Sequence, residues 1–313
     1  MTKAPKPNPP KPMDQTDWGL LILLSVLWGG SFFFAGIAVQ DLPPLTVVLA
    51  RVALAAAFLL PLFWIKGLTL PRTLRDWLPF LGMGLLNNAL PFGFIFAGQT
   101  YVTVGLASVI NATTPLFAVL VLAGFGAERL TVNRVTGVLL GIAGVAVLKG
   151  VGTNEGETIG ILLCLAGALS YGFSALWGRR FLSDVPPLKS ATCQLLSSSA
   201  IMALVVPLID RPWTLPVPPM ETILSIGALA ILSTAAAYLV FFKILVRAGA
   251  GNAMLVTLLI PVSAMLLGIA FLDEPFRWRD AVGAAIIGLG LLFIDGRLVR
   301  HAASLFSRPR NAA

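Results

Sequence analysis

Acidic residues are scarce, 14 in 313 positions, and histidine occurs once, at His301. Every Asp, Glu and His falls in a tail, a loop or at the end of an apolar run, never in its middle. The long runs therefore hold no acid–base pair, metal-ligand cluster or activated nucleophile of the kind an enzyme site needs. They also hold no buried carboxylate or imidazole to relay protons. We expect no catalysis, no cofactor and no metal. The two cysteines, Cys164 and Cys193, lie in apolar segments with neither a CxxC spacing nor a nearby histidine. That excludes a disulfide framework or zinc site and reads as two buried thiols.

What the chain has in abundance is apolar sequence. Hydrophobic residues make up 57% and charged ones 12%, and the mean hydropathy is +0.89, which leaves too little polar surface for a soluble globule. A net charge of +8 would raise nucleic acid as a partner in a soluble domain. Here the basic residues cluster between apolar runs and act as topology signals, so the expected partners are the lipid bilayer and a small molecule, with no nucleic acid. A bilayer core of ~30 Å needs ~20 apolar residues per helix. Runs of that length predict helices over 18–38, 44–65, 75–96, 102–124, 131–148, 158–178, 187–209, 220–243, 250–272 and 279–295. The run from Trp18 to Val39 is long enough to span rather than to serve as a cleaved signal. Residues 1–17, with Lys3, Lys6 and Lys11 among prolines, predict a disordered tail.

The chain also repeats itself. Gly105–Leu148 aligns without a gap on Gly251–Ile294 at an offset of 146, superimposing Ala107 on Ala253, Pro115 on Pro261, Glu128 on Glu274, Gly137 on Gly283 and Gly144 on Gly290. A second register, offset by 143, sets Trp28-Gly29 on Tyr171-Gly172, Ser31 on Ser174, and Asp41-x-Pro43-Pro44-Leu45 on Asp184-x-Pro186-Pro187-Leu188. Two copies of five helices each must lie upside down relative to one another. Lys and Arg agree: 17 fall in the two tails and the loops after helices 2, 4, 6 and 8, whereas Lys149, Arg211, Arg277 and Arg279 fall on the other side. By the positive-inside rule both termini face the cytoplasm. The expected fold is an all-α membrane protein of ten transmembrane helices, two inverted five-helix repeats around a central cavity. Its parts are a cytoplasmic tail 1–17, a first repeat 18–150, a second repeat 151–296 and a basic cytoplasmic tail 297–313.

Prolines inside helices mark where polar groups must be accommodated, because proline lacks the N–H that its helix would use. Pro91, Pro115 and Pro261 free the carbonyls of Asn87, Asn111 and Thr257, and such acceptors cannot face lipid. They line a wet cavity, or they are structural kinks capped by a neighbour's hydroxyl. Trp28, Ser31, Asn88, Thr114, Tyr171, Ser174, Ser233, Thr234 and Tyr238 lie near these points on helices 1, 3, 4, 6 and 8. Amides and freed carbonyls suit an ammonium or hydroxyl, and Trp and Tyr faces suit an aromatic or a cation. The candidate substrate-binding set is Trp28, Ser31, Asn87, Asn88, Asn111, Thr114, Tyr171, Ser174, Tyr238 and Thr257, with Pro115 and Pro261 as candidate hinges. Packing and interfacial anchoring are the alternative roles for any one of them.

Arg51, inside helix 2, has two available roles: snorkelling to the extracytoplasmic interface or bonding carbonyls, and binding a substrate carboxylate. Glu128 and Glu274 occupy equivalent turns, where they either latch opposite gates or end a solvated helix. Gly137-x-x-x-Gly141 and Ala284-x-x-x-Gly288 are small-residue faces that pack helices 5 and 10 or support a homodimer, leaving monomer and homodimer both open.

Leu27-Trp28-Gly29, Pro44-Leu45 running to Arg51, Gly105-Leu106-Ala107-Ser108 leading to Pro115, Gly126-x-Glu128, the ladder Gly137, Gly141, Gly144, and Gly268 with Asp273-Glu274-Pro275 to Gly290 together resemble the ten-helix, EamA-like family of the drug/metabolite transporter superfamily. The resemblance covers nearly the whole chain. Within that superfamily the chain is most similar to bacterial exporters of aromatic and other amino acids. It implies a basket with a cavity lined by helices 1, 3, 4, 6, 8 and 9, and export of small metabolites across the inner membrane. The chain departs from those exporters at Thr114, where an aromatic residue is expected, while Tyr171 keeps the aromatic of helix 6. The expected function is amino-acid export by alternating access, through facilitated diffusion or exchange. A same-fold carrier of a sugar, purine, drug or thiol compound is the first alternative, and a non-transporting membrane scaffold the second.

Overall fold

The computed structural model describes residues 13–150 and 154–295. Most of the expected tail 1–17 and all of 297–313 lie outside these residues. Among the described residues the chain is entirely helical and forms ten rods: α1 Gln15–Asp41, α2 Pro44–Ile65, α3 Leu74–Gln99, α4 Val104–Gly124, α5 Val132–Lys149, α6 Glu155–Phe181, α7 Pro187–Ile209, α8 Met220–Ala248, α9 in two pieces, Ala250–Ala253 and Val256–Phe271, and α10 Trp278–Asp295. The first eight are long and apolar enough to cross a membrane. Large apolar side chains face outward along them, among them Leu139, Ile142, Leu204 and Leu208, as contact with lipid requires.

Polar caps set the ends. α1 starts at Gln15, ahead of its apolar run, because Asp14 and Asp17 form a reciprocal capping box, worth about 1 kcal/mol. Pro44 and Pro187 occupy the first turns of α2 and α7, where a missing N–H costs nothing.

Side-chain ties between rod ends sort into two faces. On one, Thr46 at the start of α2 donates its N–H and hydroxyl to Asp210 after α7, both at 2.8 Å. Thr222 at the start of α8 bonds Asp41 at the end of α1, and Glu157 of α6 pairs with Arg277 and Arg279 before and in α10. On the other, Arg247 at the end of α8 pairs with Asp14 and Asp17 at the start of α1. Glu128 after α4 there pairs with Arg134 at 2.7 Å and Arg179 at 2.8 Å. Successive rods therefore run up and down in turn, and the five-rod copies point in opposite directions.

Glycine contacts carry the same symmetry. α5 and α10 form the most extensive pair of rods. A Cβ on Gly137 would meet the Gly290 carbonyl at 2.5 Å, and one on Gly144 would meet the Gly283 carbonyl at 3.0 Å. Since 283 and 290 are the images of 137 and 144, each residue touches the image of the other, the signature of an isologous contact about a two-fold axis. α1 on α9 and α6 on α4 repeat the pattern, Gly29 lying on Ser263 and Ala264 while Gly172 lies on Phe117. Gly137, Gly144, Gly283 and Gly290 thus form a seam within the chain, whereas Ala284 and Gly288 stay half-buried. The pairs differ from the expected spacing, for Gly141 packs on Leu116 and Gly288 reaches only Leu258, at 3.6 Å.

Candidate substrate site at the repeat interface

Midway along α3 and α8 the backbone leaves α-helical register. α3 has a π-turn over Leu85–Ala89, where the Leu90 N–H bonds the Leu85 carbonyl five residues earlier. α8 has one over Ile231–Ala236, where the Ala237 N–H bonds the Leu232 carbonyl. Their starts are 146 residues apart, so both copies carry the same bulge, which places Asn87 and Asn88 opposite Ser233 and Thr234. Such bulges concentrate at functional sites because they turn polar groups inward. Pro91 follows the first bulge, so its missing N–H is absorbed by a local π-turn rather than by an open kink.

Each bulge is bonded by a polar residue from the other copy. Arg51 of α2 donates Nε–H to the Thr234 hydroxyl at 2.9 Å. Gln194 of α7, the image of Arg51 in the 143 register, accepts from the Asn87 amide at 3.2 Å. Asn88, fully buried, donates to Ser198 at 3.3 Å. Asn87 also accepts from Ser174 at 3.1 Å and is in polar contact with the Tyr238 hydroxyl. Asn87, Ser174 and Tyr238 of the expected set thus meet on one side of this girdle, with Arg51 close enough to Tyr171 and Tyr238 to interact electrostatically.

Arg51 corrects the snorkelling expectation. Its side chain does not reach an interface: the residue is 4% exposed. The guanidinium lies 3.7 Å from the Phe92 ring centroid and 5.6 Å from that of Phe96. Among the described residues no Asp or Glu pairs with it, and its two terminal amino groups have no hydrogen-bond partner. Cation–π contact when desolvated is worth about 2 kcal/mol and one bond from a charged donor ~1.5–3 kcal/mol. Desolvating the ion costs several kcal/mol, so these contacts only just offset burial. The charge is held, not neutralised.

The other expected residues are distributed around this centre. Trp28 packs its ring on Phe241 at 5.4 Å, Tyr171 sits edge-on to Phe92 at 6.5 Å, and Ser31 is buried on α1. Oxygens of Asn111 and Thr114 are buried without a partner, as are those of Asn88 and Ser233. Thr257 stands apart, its hydroxyl donating to Met254 of its own rod at 2.7 Å.

The structure places the two candidate hinge prolines beside or within their rods in different ways. Pro115 does not kink a continuous helix: α4 breaks at Ala112–Thr113, with Pro115 in the first turn of its second piece. Pro261 lies inside the piece Val256–Phe271, and α9 breaks earlier, at Met254–Leu255. Gln194, Phe92 and Ser198 are site residues missed from sequence. Extending the 143 register past Leu188 to Arg51 and Gln194 would have found the first.

The equivalent glutamates are in different states. Glu274, after α9, accepts from the Val104 N–H at 2.6 Å and the Gly105 N–H at 3.3 Å, capping the start of α4 beside Thr103. It borders a recess of about 240 Å³ lined also by Gly36, Gln40, Gln99 and Thr100. Glu128 instead holds Arg134 and Arg179.

Two antiparallel five-rod copies enclosing polar bulges at their interface define a membrane solute carrier of the inverted-repeat type. The chain belongs to the EamA-like transporter family, whose model matches it twice, over residues 18–149 and 158–295. Curated relatives include the uncharacterized inner membrane transporter YedA of Escherichia coli K12, 28% identical over 88% of this chain and 90% of that protein. A probable amino-acid metabolite efflux pump of the same organism is 27% identical over 89% and 94%. A solved crystal structure superposes with a TM-score of 0.64 at 22% identity, covering 93% of this chain and 99% of the other, a likeness of fold.

Proposed function

We propose that the protein exports small metabolites, foremost amino acids including aromatic ones, across a bacterial inner membrane by alternating access, with both termini in the cytoplasm. The relative named a probable amino-acid metabolite efflux pump supports the solute class. So does a site that combines the amides of Asn87 and Gln194 with the aromatic faces of Trp28, Tyr171 and Tyr238. The 17-to-4 distribution of Lys and Arg supports the orientation.

The observation that carries alternating access is the unequal state of one sequence word in two copies. Glu274 closes onto the start of α4, while its image Glu128 is paired elsewhere. In the proposed orientation the first face is extracytoplasmic, so the described state is closed outward. With every described carboxylate at a rod end, transport proceeds by facilitated diffusion or exchange.

The test is flux into proteoliposomes holding the full-length protein, with a panel of amino acids, sugars and nucleosides, with and without a pH gradient. Amino acids should move fastest and the pH gradient should leave their rate unchanged. Movement of sugars or nucleosides alone overturns the solute class, and no movement of any solute overturns the carrier reading.

A further inference from the structure

We infer that Arg51 is the fixed receptor for a carboxylate of the transported solute, so that the carrier selects carboxylate-bearing solutes and rejects cationic ones that lack this group. This deepens the reading above and rests on it. The argument begins with charge. Arg51 is buried, at 4% exposure, and among the described residues it has no acidic partner in the bundle. Its surroundings are neutral: Thr234 on Nε, the face of Phe92 below and the phenols of Tyr171 and Tyr238 nearby. A purely structural arginine in such a place would spend all its donors on carbonyls or a carboxylate. This one is fixed by one nitrogen and one ring face, which orients the plane and leaves the two terminal amino groups unpartnered. That fork matches a carboxylate bidentately.

The asymmetry of the repeat supports the same conclusion. The equivalent position in the second copy is Gln194, which bonds Asn87 of the opposite bulge and so does the structural part of the task without charge. A glutamine suffices to brace a bulge; the positive charge at 51 serves something else. One guanidinium also sets the class of anion. A phosphate dianion would call for a second cation, and the remaining described Lys and Arg lie at rod ends or in loops. A single negative charge balances the site, and a carboxylate on an otherwise neutral or zwitterionic solute supplies it. An amine without that carboxylate would place a second positive charge beside an unscreened first one.

The deciding comparison is made in wild-type protein, so it does not depend on a variant folding. For the amino acid that moves fastest in the flux panel, its deaminated acid and its decarboxylated amine are tested as competitors; for phenylalanine these are 3-phenylpropionate and phenethylamine. The acid should compete at least about a hundredfold better than the amine, the effect of leaving a buried charge unpaired. Arg51→Lys should keep the preference for the acid with weaker binding, and Arg51→Gln should lose it while eluting as the same detergent-solubilised species. Equal competition by acid and amine in the wild type overturns the assignment and leaves the carrier reading standing. If no amino acid moves but 3-phenylpropionate, added to the panel, does, the amino-acid reading fails and the assignment holds. Transport restricted to uncharged solutes overturns both.

Discussion

Glu274→Gln is the most informative substitution outside the candidate substrate site. The carboxylate holds the first two N–H groups of α4, at 2.6 and 3.3 Å, across the boundary between the copies. Bonds to a charged acceptor are worth ~1.5–3 kcal/mol each, and a negative charge at a helix start adds ~0.3–1 kcal/mol. The amide retains one acceptor but loses the charge, so about 1–3 kcal/mol of preference for the closed face disappears, a shift of about 5- to 150-fold between conformations. Val102, 9% exposed on the wall of the adjoining recess, is the reporter. With Cys164 and Cys193 replaced by Ala and Val102 by Cys, a membrane-impermeant maleimide should label the Glu274→Gln variant faster by that factor. Of the two ion pairs lost in the companion Glu128→Gln, whose carboxylate is 26% exposed, only that with Arg179 crosses between the copies; at ~0.2–1 kcal/mol its loss should change the rate less than about fivefold. Equal labelling of the Glu274 variant and its parent, with both proteins monodisperse, would refute the idea that this carboxylate holds the face shut.

Gly137→Leu and Gly290→Leu should each lower thermal stability in detergent by at least the ~1–3 kcal/mol of overpacking, because even a Cβ meets backbone at 2.5 and 2.6 Å. Gly124→Leu, with nothing within 4 Å, should be silent in the same melt. A double-mutant cycle on Asn88 and Ser198 should give a coupling of about 0.6 kcal/mol in unfolding equilibria. Pro115→Ala, beside the break in α4, should slow flux more than Pro261→Ala, which lies within a continuous piece; similar rates would dissociate the break from transport.

The rods were legible because lipid demands about twenty apolar residues in a row, and the inversion because five rods per copy is odd. The site was legible in composition but not in geometry. A π-turn at Leu85–Ala89 leaves no mark in local propensity; only its recurrence at Ile231–Ala236 identifies it, and recurrence needs coordinates. Asn87, Ser174, Tyr171 and Tyr238 follow from polarity in an apolar setting. The direction taken by Arg51 does not, since a long side chain two turns into a helix can turn outward or inward, and the Phe92 ring from another rod decides. The break in α9 is not legible for the same reason. Proline fixes where an N–H is missing, whereas the chain at Met254–Leu255 yields where neighbouring rods permit.

The glycine seam between α5 and α10 has a mechanical consequence. Gly137 touches Gly290 and Gly144 touches Gly283, and an exchange of roles between the halves carries each of these contacts onto the other. The seam is invariant under the exchange and need not open at any stage of a cycle. In the proposed alternating-access cycle it would serve as an axle about which the halves trade places. On that proposal the barrier to turnover resides in the ties at the rod ends.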